Sequence, residues 1–306
     1  MISLIYFATP DISIPVFEYL VGSNDYNVLA VISQPSKVCS RGNRITDCTL
    51  VKHAKQYNIP VYQPEKISKD KDIIRKLRSL NPDFFVTFAF GQILSQEVID
   101  IPTYGTVNIH ASLLPEYRGA NPIRQGILDG KKKTGLTTML TCLKMDAGDI
   151  CLQEEISIHD MNYSELCLTV GVSAIGLLDK TLKGLYEGEI LPLKQDESKV
   201  TYCFKNKKED NLIDWDAPAE TLYNKIRALD CYTYFKGKRI KILKAVKAND
   251  FSLAGTICSI NPLIIACQDT SLEILKVQPE GKKEMDAVSW VNGARIKSGD
   301  KFDNHG

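Results

Sequence analysis

The chain has 306 residues, of which 44% are hydrophobic and 25% charged, with 38 basic and 37 acidic side chains and a formal net charge of +1. This composition is typical of a globular protein with a sizeable core and two domains, and the balanced charge gives no global sign of a polyanionic partner. No apolar run reaches membrane-span length, and the apolar run 1–7 is too short and uncharged for a signal peptide.

Nine cysteines are scattered along the chain, and no two of them form a C-x-x-C pair. An odd number of unpatterned cysteines favours reduced thiols over disulfides, zinc binding or redox chemistry. We therefore expect a soluble cytoplasmic enzyme that acts without a metal ion and as a monomer.

Apolar runs and amphipathic runs alternate through the first part of the chain. The strands are predicted at 2–8, 28–33, 83–90, 134–143 and 151–158, and the helices at 14–21, 48–57, 70–80 and 164–185. This alternation predicts an α/β fold with a Rossmann-like, doubly wound and mostly parallel sheet. The first strand-to-helix turn lacks G-x-G-x-x-G, so an ordinary dinucleotide site is not expected.

A long polar loop follows the second predicted strand, at 34–46. It contains Arg41 and Arg44 and has no apolar periodicity. Such a loop is either a solvated surface segment or an arm that contacts phosphates of a nucleic acid.

The pattern changes near residue 200, where short strands with turns replace the long alternation. A helix at 219–228 and strands between 232 and 277 predict a small, OB-like β-barrel. Residues 232–247 contain six basic residues and no acidic one, so this stretch is either a basic strand pair or a face that follows a phosphate backbone. We expect domains at 1–189 and 208–306, joined by a linker at 190–207.

Asn108 and His110 stand two residues apart in an extended segment, so their side chains lie on the same face. An amide donor stabilises a developing oxyanion, and an imidazole transfers protons near neutral pH. The following S-L-L-P cannot continue a central strand, which places the pair at a strand end, where open parallel sheets bind ligands. On spacing alone, a structural pair remains the alternative.

Asp146 lies in a second stretch, D-A-G-D, which is typical of a loop or turn. A carboxylate there could orient His110 or take up a proton through water. The alternative is an ordinary turn or helix-capping aspartate.

Three motifs together resemble the folate-dependent formyltransferase superfamily. They are N-x-H-x-S-L-L-P at 108–115, Y-R-G-A-x-P at 117–122 and D-x-G-D at 146–149. The resemblance implies transfer of a formyl group from 10-formyltetrahydrofolate to an amine, with Asn108, His110 and Asp146 as catalytic residues. It also implies a folate site in which the wall at 88–94 and the loop at 143–149 clasp the pterin ring. The implied folate-binding residues are Ser112, Leu113, Leu114, Pro115, Phe88 and Phe90.

Further segments resemble the methionyl-tRNA formyltransferase family within this superfamily: the 34–46 loop, I-D-W at 213–215, R-A-L at 227–229 and Q-P-E-G-K-K at 278–283. This implies methionyl initiator tRNA as the acceptor, with contacts from Arg41, Arg44, Lys238 and Arg239. Two alternatives remain: a formyltransferase acting on a small amine, and a non-catalytic nucleic-acid-binding protein.

Overall fold

The computed structural model describes residues 1–38 and 45–303. The chain divides into two compact units. The first unit comprises 1–122, 133–157 and 165–203, and the second comprises 123–132, 158–164 and 204–306. The domain limits predicted at 189 and 208 stay a prediction.

Strands and helices alternate in the first half of the chain, and strands dominate the last quarter. The strands are β1 Ile2–Ala8, β2 Tyr26–Ile32, β3 Lys37–Val38, β4 Ile45–Thr46, β5 Val61–Tyr62, β6 Phe84–Phe88, β7 Thr106–His110, β8 Arg118–Gly119, β9 Lys133–Leu140, β10 Ile150–Ser157, β11 Tyr202–Cys203, β12 Tyr232–Phe235, β13 Lys238–Ala248, β14 Ile257–Ile260, β15 Leu263–Ala266, β16 Ser271–Pro279 and β17 Met285–Asp286. The helices are α1 Ile14–Gly22, α2 Thr49–Gln56, α3 Lys71–Ser79, α4 Gln96–Ile99, α5 Pro122–Leu128, α6 Tyr163–Tyr186, α7 Ala219–Ala228 and α8 Ala287–Ala294.

The first unit is built around a seven-stranded sheet with the order β10-β9-β7-β6-β1-β2-β5. The five strands from β7 to β5 are parallel, while β9 is antiparallel to β7 and β10 is antiparallel to β9. The predicted α/β fold with a mostly parallel sheet is therefore confirmed. The strand β10 forms an antiparallel edge of this sheet.

Both faces of this sheet are covered, because its central strands carry apolar residues on each side. On one face Phe7 and Phe85 pack in a core cluster with Ile74 and Leu77 of α3. On the other face the ring of Tyr6 packs against Phe17 of α1, with 6.2 Å between the centroids. Helices on both faces make this a doubly wound arrangement.

The segment after β6 differs from its prediction. The F-A-F-G-Q-I-L sequence at 88–94 predicts a strand followed by a glycine and the start of an apolar helix, but helix α4 begins only at Gln96. Ala89 and Gly91 both have positive φ, 51° and 78°. This left-handed backbone turns the chain sharply at the end of β6, and it cannot continue into a right-handed helix.

The second unit contains a curled antiparallel sheet with the order β12-β13-β16-β15-β14, and β17 pairs with β16. Its core holds an aromatic cluster in which Phe302 contacts Trp215, Phe235 and Trp290. The indole N–H of Trp215 donates to Thr233 Oγ1 at 3.0 Å, which satisfies the polar atom of this fully buried side chain. The predicted small β-barrel is therefore confirmed as a curled antiparallel sheet.

The described end of the chain hydrogen-bonds to both outer strands of this sheet. The N–H of Asp303 donates to the backbone oxygen of Tyr234 in β12, and the N–H of Ile257 in β14 donates to Asp300 O. The segment 299–303 therefore covers β12 and β14 together. Throughout the described residues, we find no helix with both the length and the apolarity that crossing a membrane requires.

Candidate active site

Asn108 lies near the carboxyl end of β7, next to Thr87 of the parallel strand β6. The Thr87 hydroxyl donates to Asn108 Oδ1 at 2.7 Å. Because its oxygen is engaged, the amide directs its two N–H bonds away from β6. Within the described part of the chain, no acceptor contacts Nδ2. The amide is thus an oriented donor at a strand end, as the sequence predicted, whereas the role of Thr87 escaped sequence reasoning.

His110 ends the same strand and is almost completely buried. Its Nε2 lies 2.8 Å from the backbone oxygen of Tyr117. Since a carbonyl oxygen only accepts, Nε2 carries the hydrogen, and Nδ1 is the nitrogen that can gain or lose a proton. Nδ1 lies 3.7 Å from Asp146 Oδ1, so the structure brings these two predicted residues together.

Asp146 lies in the loop between β9 and β10 with a positive φ of 49°. Its Oδ2 accepts a hydrogen bond from the N–H of Gly119 at 2.8 Å, which leaves Oδ1 facing His110. The loop is tightly fitted at Gly148, where an added Cβ would lie 1.6 Å from Leu140 O. Only glycine is compatible with this approach of two backbones.

Arg118 is fully buried beside this loop. Its Nη2 lies 2.7 Å from Glu197 Oε1, and Lys144 of the loop also pairs with Glu197 at 2.7 Å. Hydrogen bonds from these two cations lower the pKa of Glu197 to about 2. Burial disfavours the charged form of Arg118, but hydrogen bonds with Glu197 and Tyr202 outweigh burial and raise its pKa.

The turn that we expected at the folate site leaves β7 directly after His110. Ser112 is fully buried and donates to Glu116 O at 2.6 Å, so its hydroxyl is already engaged. The N–H of Leu114 donates to Thr137 Oγ1, and Leu114 O accepts from Gln153 Nε2. Leu113 and Pro115 are partly exposed, and these two side chains remain accessible to a ligand.

Both phenylalanines of the predicted pterin wall at 88–94 have buried side chains. Phe88 and Phe90 are 2% and 4% exposed, and the ring of Phe90 packs edge-on against Phe7 at 5.4 Å. A ligand at this wall would therefore meet backbone groups rather than these rings. Three apolar side chains in the wall and the 143–149 loop are strongly exposed: Ile93, Leu143 and Met145.

A cleft of about 420 Å³ lies at the carboxyl ends of β2 and β6. It is lined by Gln34, Pro35, Ser36, Glu65, Gly91 and Gln92. Amide, hydroxyl and carboxylate groups suit a polar ligand that offers hydroxyls or an amine.

In the second unit, Lys238 and Arg239 of the basic strand β13 are exposed. The guanidinium of Arg239 lies 4.1 Å from the centroid of the Tyr232 ring. Lys244 lies directly opposite Lys276 of β16, and both are exposed. The predicted contacts Arg41 and Arg44 lie outside the described residues.

Residues 16–169 match the family described as Formyl transferase, and residues 205–295 match the family described as Formyl transferase, C-terminal domain. The chain is also 41% identical over 303 residues to methionyl-tRNA formyltransferase of Clostridium botulinum (strain Alaska E43 / Type E3), covering 96% of this chain and 97% of the relative. The chain belongs to the formyl transferase family. This confirms both the predicted resemblance and the prediction of an enzyme that transfers formyl groups.

Solved structures of formyl transferases and related proteins share this fold. Methionyl-tRNA formyltransferase from Clostridium thermocellum superposes with a TM-score of 0.58 and 19% identity, covering 83% of this chain and 97% of that chain. HypX from Aquifex aeolicus in complex with tetrahydrofolic acid superposes with a TM-score of 0.65 and 14% identity, covering 97% of this chain. The alignment spans 48% of the HypX chain, so this formyl transferase corresponds to about half of HypX.

Proposed function

We propose that this chain transfers the formyl group of 10-formyltetrahydrofolate to the amino group of methionyl initiator tRNA. The observation that carries the proposal is the oriented amide of Asn108 beside the His110–Asp146 pair, in a formyl transferase whose relatives over nearly the full length are methionyl-tRNA formyltransferases. We further propose that it acts in the cytoplasm, as a monomer and without a metal ion.

Asn108 is the proposed oxyanion donor. When the amine attacks the formyl carbon, the carbonyl oxygen gains negative charge, and a fixed N–H donor stabilises that charge without reorganising. Thr87 holds Asn108 Oδ1 at 2.7 Å, so the amide is already oriented before the substrates bind. Positioning of the two substrates supplies much of the remaining acceleration.

His110 and Asp146 are the proposed proton-transfer pair. The attacking amine must lose a proton, and the folate nitrogen that releases the formyl group must gain one. With Nε2 donating to Tyr117 O, His110 exchanges protons at Nδ1, where the Asp146 carboxylate stabilises an imidazolium. Asp146 accepts the amine proton through water in this scheme and holds His110 in the required state.

The folate site is proposed between the 88–94 wall, the 112–115 turn and the 143–149 loop. Its fit to a flat pterin ring is supported by the exposed apolar side chains of Ile93, Leu143 and Met145. Exposed apolar side chains at the rim of a site are available to pack against the faces of a bound ring. Backbone groups of Phe88 and Phe90, and the side chains of Leu113 and Pro115, complete the proposed contacts.

The tRNA contacts are proposed on the β12–β13–β16 face of the second unit, together with Arg41 and Arg44. Lys238, Arg239, Lys241, Lys244 and Lys276 have no carboxylate partner within the described residues. A cross-strand pair of like charges such as Lys244 and Lys276 is destabilising by itself, and a phosphate between the two would remove the repulsion. Tyr232 and Tyr234 lie on the adjacent strand, and tyrosine interleaved with cations favours nucleic-acid binding.

Replacement of Lys244 or Lys276 by glutamine is expected to weaken tRNA binding at moderate salt. Each substitution should lower the slope of log K against log salt by about one unit, because one phosphate contact is lost. Filter binding of methionyl-tRNA across a salt series measures this slope. Lys180→Gln, at an exposed position of α6, is the matched control, and equal slopes for all three variants would contradict the assignment.

The function itself is tested by formyl transfer from 10-formyltetrahydrofolate to methionyl initiator tRNA, methionyl elongator tRNA and free methionine. Selective transfer to the initiator is expected. Transfer to a small amine alone would favour the first alternative, and tRNA binding without transfer would favour the non-catalytic one. The C-terminal family match and the methionyl-tRNA formyltransferase relatives disfavour both alternatives.

A further inference from the structure

We propose that Gln195 is a positioning residue for the reaction, which fixes the Asp146 carboxylate against His110 by binding the backbone of the Asp146 loop. This inference rests on the proposed function, because it requires Asp146 to act in proton transfer. Gln195 lies outside every motif that pointed to the active site, in the segment between α6 and β11.

The amide nitrogen of Gln195 donates to two carbonyl oxygens of the loop. Nε2 lies 2.8 Å from Asp146 O and 2.8 Å from Gly148 O. These two hydrogen bonds, to the carbonyl oxygens of the residues before and after Ala147, restrain the backbone that positions the Asp146 side chain. Since Asp146 has a left-handed backbone conformation, its geometry depends on such external restraints.

The amide oxygen of Gln195 is held from the opposite side by Arg118. Nε and Nη2 of the buried guanidinium lie 3.1 and 2.8 Å from Oε1. This paired contact fixes the plane of the amide and therefore the direction of both N–H bonds. Arg118 itself lies in β8, whose next residue, Gly119, donates to Asp146 Oδ2.

Asp146 is consequently restrained at its carboxylate and at its backbone oxygen, and Arg118 lies next to the groups that make both contacts. The N–H of Gly119 binds its carboxylate, and Gln195 binds its backbone oxygen, with Arg118 beside both. A shift of this loop would alter the 3.7 Å separation between Asp146 Oδ1 and His110 Nδ1. Misplacement of a catalytic group by about 1 Å is able to reduce turnover about 100-fold.

The test uses Gln195→Glu in the full-length protein. A carboxylate keeps the acceptor for Arg118 but cannot donate to the two loop carbonyls, so kcat is expected to fall about 10- to 100-fold. The KM for 10-formyltetrahydrofolate should change less than kcat. In an Asp146→Asn background the same substitution should cost less than about twofold, because residues that act through one another are not additive.

Gln56→Glu is the matched control, because it makes the same chemical change at an exposed position of α2. We expect its kcat within about twofold of the parent. Thermal unfolding is recorded for each variant, and Gln195→Asn replaces Gln195→Glu if the latter does not fold.

Equal losses from Gln195→Glu in the parent and in the Asp146→Asn background would overturn the inference. A kcat for Gln195→Glu equal to that of the parent would also overturn it. The absence of formyl transfer by the unsubstituted protein would instead refute the proposed function, so the two failures are distinguishable.

Discussion

Replacement of Asn108 by alanine is expected to lower kcat about 100- to 1,000-fold, as loss of an oxyanion donor does elsewhere. The amide nitrogen has no acceptor among the described residues, and Thr87 fixes the amide oxygen, so the side chain is arranged to donate to a substrate. The substitution removes a contact that strengthens only as the carbonyl oxygen becomes charged. The KM for 10-formyltetrahydrofolate should therefore change little. Steady-state formyl transfer at saturating tRNA measures the effect.

Two companion variants separate this role from a general effect on the sheet. Thr87→Val removes the hydroxyl that orients the amide, and kcat should fall about three- to tenfold, the value of one ordinary hydrogen bond. Asn27→Ala makes the same change at an exposed position of β2 and should leave kcat unchanged. Near-parental turnover of Asn108→Ala would exclude Asn108 from the proposed role.

Replacement of Gly148 by alanine is expected to reduce kcat about 100-fold or more and to destabilise the fold by about 1–3 kcal/mol. The new Cβ would overlap Leu140 O, and backbone cannot rotate away as a flexible side chain does. The loop must shift, which separates Gly148 O from Gln195 and moves Asp146 relative to His110. Formyl transfer and thermal unfolding together measure the two effects.

Gly176→Ala is the control for this substitution. Gly176 lies in α6 with no atom within 4 Å of an added Cβ, and alanine is the better helix former by about 0.5–1 kcal/mol. This variant should be slightly more stable than the parent and equally active. If Gly148→Ala behaved in the same way, the tight fit of the loop would have no functional consequence.

The elements that the sequence predicted well are those with local signals. The continuous apolar run of β1 and the helical pattern at 164–185 within α6 are such signals, and the S-L-L-P after His110 marks the end of β7. Local pattern also placed Asn108 and His110 on one strand end. It further indicated a loop at Asp146, and the structure sets that loop against His110.

Contacts between residues that are distant in the sequence could not be predicted from local patterns. Thr87 appeared as one residue of a buried strand, and its bond to Asn108 depends on the register of β6 with β7. Gln195 lies 49 residues from Asp146 with no periodicity around it. The burial of Arg118 follows from partners at 195 and 197, which a local pattern cannot supply.

The segment 299–303 gives the second unit an additional property. By hydrogen-bonding to β12 and β14 it occupies backbone donors and acceptors that would otherwise face solvent at both margins of the curled sheet. Open margins are templates for strand addition by another chain. Proteolysis just before Gly299 would therefore convert this unit from a self-contained sheet into one prone to strand exchange and aggregation.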